Sequence, residues 1–89
     1  MELSNEDLST ITKCGMLEYK IDKIINILDF EDIKYLEIQF NDKSSPAYRA
    51  YKKGLDKADL MIDSKLFDMA LKGDLKALHK YESRKRLRK

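Results

Sequence analysis

The sequence predicts an all-α protein. Apolar residues recur at steps of three and four wherever they cluster, no stretch alternates with a period of two, and helix-start residues stand at the head of the apolar runs. With 89 residues, the chain is one domain, or one small domain with an extension. The expected architecture is an N-terminal unit of three helices over residues 1–43, resembling a helix-turn-helix. A long central helix and a short C-terminal helix follow over residues 44–83, with a basic tail at 84–89.

The first helix opens at Ser4, whose side chain can cap, with Asp7 three residues on and Leu3 and Leu8 placed as a hydrophobic staple. Leu8, Ile11 and Cys14 form its apolar face, and Gly15 is the expected stop. Leu17, Ile21, Ile24, Ile25 and Leu28 give the face of a second helix. Asp29 is the expected cap of the third, with Asp32 at its third position and a Leu28–Ile33 staple. This helix buries Phe30, Ile33, Leu36 and Phe40 and leaves Glu31, Lys34, Tyr35, Ile38 and Gln39 outward. Helices two and three are expected to meet with almost no loop.

After the polar turn Asn41–Ser45, Ser45-Pro46 starts the longest element. Ser can accept from the orphan N–H groups, and Pro at the first helical position loses no bond. Tyr48, Tyr51, Leu55, Ala58, Ile62, Leu66 and Met69 lie along one face, and Gly73 ends the run. Such a helix is roughly 40 Å long, whereas a compact chain of this size is roughly 30 Å across. The expectation is therefore a homo-oligomer, with those seven residues as the contact face. Asp74 then caps a last helix bearing Leu75, Leu78 and Tyr81.

The net charge is +2, but residues 84–89 hold five of the 18 basic residues and no acid, so residues 1–83 carry −3. Lone Cys14 excludes an internal disulfide and suits a reducing compartment. No apolar stretch has the length of a signal or membrane span, and the expected location is cytoplasmic. Catalysis has little support. His79 is the only histidine and has no partner at metal-ligand or nucleophile spacing, the acids are scattered among lysines, and no glycine-rich loop exists. Neither a metal nor any other cofactor is expected, nor is a small-molecule substrate.

Ser45-Pro46-Ala47-Tyr48-Arg49-Ala50-Tyr51-Lys52-Lys53-Gly54, followed by Leu66-Phe67-Asp68-Met69-Ala70-Leu71-Lys72-Gly73-Asp74-Leu75-Lys76-Ala77-Leu78, resembles the small terminase subunits of tailed phages and prophages. The resemblance covers about residues 45–86. It implies a non-catalytic DNA-packaging factor in a bacterial host, which binds phage DNA, assembles through its long helix and regulates a large subunit carrying ATPase and nuclease. Ile25 and Asp29 stand where that family usually has a small residue and a turn glycine.

The candidate DNA contacts form three groups: Lys34, Tyr35, Gln39 and Lys43 in and after the third helix; Arg49, Lys52 and Lys53 at the start of the long one; and Arg84, Lys85, Arg86, Arg88 and Lys89 in the tail. Gln suits adenine and Lys can reach guanine, while the tail suits phosphates. Opposing base reading, residues 29–42 carry five acids against Lys34 alone. Two other readings are a dimeric helix-turn-helix transcription regulator and a helical adaptor with no nucleic-acid role.

Overall fold

A computed structural model describes residues 3–87. Among them are five helices and no strand: α1 (Asn5–Met16), α2 (Ile21–Leu28), α3 (Ile33–Asn41), α4 (Pro46–Leu71) and α5 (Leu75–Leu87). Two compact units divide the chain, Met1–Ala58 and Asp59–Lys89. The division falls inside α4, not at the turn near residue 43 expected from sequence, because the first half of α4 completes the core of the first unit.

Local chemistry sets most helix ends. Ser4 Oγ accepts from Asp7 N–H at 3.1 Å while the Asp7 carboxylate accepts from Ser4 N–H at 3.0 Å, a reciprocal capping box. Helix α1 does not stop at Gly15. It runs to Met16 and ends at Glu18, which has positive φ; Tyr19 N–H donates to the Cys14 carbonyl and Glu18 N–H to that of Gly15. That pair of bonds is a Schellman closure. Leu17, expected on the second helix, is instead the C-cap of α1 and is exposed.

A four-residue connection replaces the expected tight junction between α2 and α3. Asp29 does not cap α3; it ends α2 in the left-handed region at φ 53°, ψ 44°, a conformation a short polar side chain tolerates. Asp32 is the N-cap of α3, accepting from Tyr35 N–H at 3.0 Å.

The first unit's core is built on Ile11, Cys14, Ile24, Ile25, Leu36, Phe40 and Ala47, with Tyr51 packed against it. Fully burying side chains such as Ile11, Ile24 and Leu36 contributes about 2 kcal/mol each. Ile33, expected inside, is half exposed at the start of α3, while Phe30 is partly buried. Where α1 meets α4 there is room only for backbone. A Cβ on Gly15 would lie 2.3 Å from the Tyr51 carbonyl oxygen, and one on Gly54 would lie 2.0 Å from that of Thr12. Gly15 is therefore a contact surface, which is why it sits inside the helix.

Ser45 joins α3 to α4. It is buried, its hydroxyl donates to the Gln39 carbonyl and accepts from Tyr48 N–H at 3.1 Å, so it is both cap and clasp. The 26 residues of α4 span about 39 Å.

In the second unit, Gly73 (φ 96°) ends α4 through bonds from Gly73 N–H to the Ala70 carbonyl and from Asp74 N–H to that of Met69. Asp74 then caps α5, accepting from Ala77 N–H at 3.1 Å. Helix α5 does not fray into a tail after residue 83. It continues to Leu87, and Arg84 is tied down within it.

Candidate functional site

Of the three α3 candidates, only Lys34 is fully exposed; Tyr35 packs against the core and Gln39 is half-buried. Gln39 Oε1 is buried without a hydrogen-bond donor and lines a cleft of about 360 Å3 with Leu3, Leu8, Tyr35 and Pro46. The placement follows from the short helix. With Leu36 and Phe40 turned to the core, Tyr35 and Gln39 lie one residue to their side, at the core's margin. The base-reading trio expected from sequence is therefore not presented together.

Lys43 and Arg49 are exposed, as are Lys52 and Lys53. Lys52 Nζ meets Asp56 Oδ1 at 2.9 Å, one turn along α4. In the preceding turn, the Ser44 hydroxyl and N–H donate to Asp42 Oδ1 at 2.7 and 2.9 Å. These bonds hold the Asp42 carboxyl below its ordinary range.

Arg84 is the candidate whose role the structure changes most. Its Nε donates to Asp63 Oδ1 at 2.8 Å and its NH2 group to Asp59 Oδ1 at 2.9 Å. The hydrogen bond to Asp63, more than the charges of Asp63 and Asp59, drives the guanidinium's affinity for its proton further up. Arg84 thus clasps α5 to the second half of α4 and is not a free phosphate contact. Lys85 and Arg86 are exposed in the last turn of α5. Arg88 and Lys89 lie outside the described residues. Lys76 and Lys80, not singled out in the sequence, are also exposed on this helix. Across Leu75–Leu87, five basic residues face Glu82 alone, a net +4.

The residues expected as one oligomer face divide. In the first unit, Ala58 is buried, Tyr48 and Leu55 are half-buried, and Tyr51 is built into the unit. The Tyr51 ring meets Phe40 edge-on at 6.4 Å, and its hydroxyl donates to the Tyr19 carbonyl at 3.0 Å. Tyr19, unnoticed in the sequence, also carries Lys23 Nζ 3.9 Å from its ring centroid, a cation–π contact. In the second unit, Ile62 and Met69 are exposed and Leu66 half-buried. Leu60, Met61, Phe67, Leu71, Leu75 and Leu87 add to that exposed apolar surface, and Ala77 is the one buried residue described in the unit. Leu75 was already read on the last helix and Leu87 stands in the expected tail; those on α4 were missed because they lie off the single face traced along it.

Cys14 is a core residue with its thiol pushed up by burial, partly opposed by Lys23. Among the described residues, no group of three or more His, Cys, Asp or Glu side chains is arranged to hold a metal ion, and no helix is long and apolar enough to cross a membrane.

The geometry defines an all-α chain whose second unit joins a basic helix to an uncovered apolar surface. Comparison with protein-family models, curated proteins and solved structures yields no match.

Proposed function

We propose that this chain is a non-catalytic DNA-binding component of phage or prophage DNA packaging, acting in the bacterial cytoplasm as a homo-oligomer alongside a large terminase subunit. The observation that carries the reading is the second unit. Most of its large apolar side chains lie outside, and a unit this small does not cover its own apolar surface without association. The resemblance over residues 45–86 supports the same reading.

DNA contact falls to the outer side of α5 and the start of α4, since α3 offers Lys34 alone among its fully exposed basic groups. Phosphate contact by Lys and Arg releases counterions, so affinity falls with salt. The test is binding to duplex DNA across a salt series, combined with native mass by light scattering. Replacing Lys76, Lys85 and Arg86 with Gln is expected to lower the slope of log affinity against log salt by roughly 0.9 for each contact removed. An unchanged slope with intact helicity removes α5 from DNA binding. Absence of DNA binding by the unaltered protein overturns the reading.

A further inference from the structure

The first unit has an apolar cleft outside its core, where the end of α1 meets α2. It measures about 230 Å3, with Leu17, Tyr19 and Ile27 as walls and Lys13 and Cys14 at its edge. Two of the walls are large apolar side chains facing water, Leu17 at 56% and Ile27 at 46% exposed. Local structure puts them there. The closure at Glu18 fixes Leu17 just beyond α1. On α2, Ile24 and Ile25 take the inward positions, which turns Ile27 to one side.

Two lysines bracket the cleft. Lys13 lines it, and Lys23 lies over the Tyr19 ring with Nζ 3.9 Å from the centroid. Lys23 is near enough to the edge to oppose the effect of burial on the Cys14 thiol. Glu18 and Asp22 are close in sequence, yet among the described residues no acid forms an ion pair with either lysine. The cleft is thus apolar inside and carries unneutralised positive charge outside.

Its size decides what kind of occupant it takes. Pockets for small organic ligands run from about 300 to 1,000 Å3, so this one has room for a single large side chain. A nucleotide base fits it poorly. Tyr19 has one ring face under Lys23 and packs against the core, so its ring is not free to stack on a base.

We infer that this cleft docks a segment of a protein partner that inserts one large apolar side chain and carries carboxylates beside it. Leu17, Tyr19 and Ile27 take the apolar anchor out of water, which supplies most of the affinity. Lys13 and Lys23 meet the acids, which orients the segment and rejects basic ones. The contact is small, so the complex is transient. It uses no residue of the α5 surface assigned to DNA and does not depend on that assignment.

The test presents a displayed library of random short peptides to the full chain. Enriched sequences are resynthesised with a dye and their affinity is read by fluorescence anisotropy. One large apolar residue flanked by Asp or Glu is the expected consensus. Leu17→Asp, Ile27→Gln and Lys13→Glu all lie at exposed positions, and circular dichroism checks that each variant stays helical. Each is expected to weaken the peptide at least about tenfold, and Lys13→Glu is expected to recover binding to a peptide whose acids are replaced by Lys. Basic helix α5 is the competing site for an acidic peptide. The variant with Lys76, Lys85 and Arg86 replaced by Gln is therefore expected to keep the peptide while losing DNA.

No enrichment over a blank surface overturns the inference, as does a peptide whose affinity ignores Leu17→Asp or falls with the α5 variant. Weaker binding of single-stranded DNA by Leu17→Asp would assign the cleft to nucleic acid instead. A lower native mass in that variant would assign it to a second copy. Either result also overturns the inference. Peptide binding without DNA binding removes the proposed function and leaves this site standing; DNA binding without peptide binding does the reverse.

Discussion

Gly15 and Gly54 allow the backbones of α1 and α4 to approach so closely that one added carbon would strike a carbonyl oxygen. Neither backbone can turn aside as a flexible side chain would. Gly54→Ala is therefore expected to destabilise the first unit by about 3 kcal/mol or more, read as a shift in the denaturant midpoint. Gly73→Ala meets no neighbour within 4 Å and is expected to lose only about 1 kcal/mol, from the positive φ it must keep. Sequence alone treats both Gly15 and Gly73 as stops. It is right at Gly73, where the reason is local, and misses Gly15, where the reason is a helix nearly forty positions away. Cys14 shows the reverse case: its apolar neighbours at helical spacing made its burial legible. Burial raises its thiol above the ordinary 9.0, so between the two values the folded chain keeps a proton the unfolded chain has released. Its contribution is complete below about pH 9 and is lost as pH rises through the folded value. Unfolding midpoints at about pH 8 and pH 10 are expected to differ less in Cys14→Ala than in the unaltered protein.

Helix caps were readable because a cap is a contact between residues three apart, as at Ser4, Ser45 and Asp74. The junction between α2 and α3 was not readable in the same way. Asp29 and Asp32 are both good caps, and only the docking of Leu36 and Phe40 into the core decides that α3 begins after the second. Register on α3 had the same limit, since Tyr35 and Gln39 become half-buried once those two residues face inward. At α5, the run of basic residues looks like a solvated tail until Asp59 and Asp63 come within reach of Arg84. That clasp is partly exposed, so it is expected to contribute about 1 kcal/mol at low salt. A double-mutant cycle of Arg84→Gln and Asp63→Asn is expected to give a coupling of that size, falling toward zero at about 1 M salt.

The two units differ in how they are stabilised. Residues 1–58 hold a continuous apolar core and a net charge of −2, while residues 59–89 carry +4 with most of their large side chains uncovered. All-helical content was legible from periodicity alone. The apolar surface on both sides of the hairpin was not, because the sequence traces one face of α4 and the second face only has meaning beside α5. If association covers that surface, helicity depends on concentration through mass action. Dilution from about 100 μM to about 1 μM is expected to reduce the far-ultraviolet helical signal of the unaltered protein. A Leu60→Asp variant is expected to start from the lower value and change little.

Cys14, the only thiol in the chain, lies in the core of the first unit. Cys14 is only 4% exposed, at the edge of a cleft it lines with Lys13, Leu17 and Tyr19, so labelling by a thiol reagent speeds up when that core opens and reports on the opening of one unit. Substitutions in the hairpin are expected to leave that rate unchanged, whereas Gly54→Ala should raise it roughly a hundredfold or more, the kinetic counterpart of its stability loss. The protein thus carries a built-in chemical clock for one half of itself, readable with a coloured disulfide reagent and no added label.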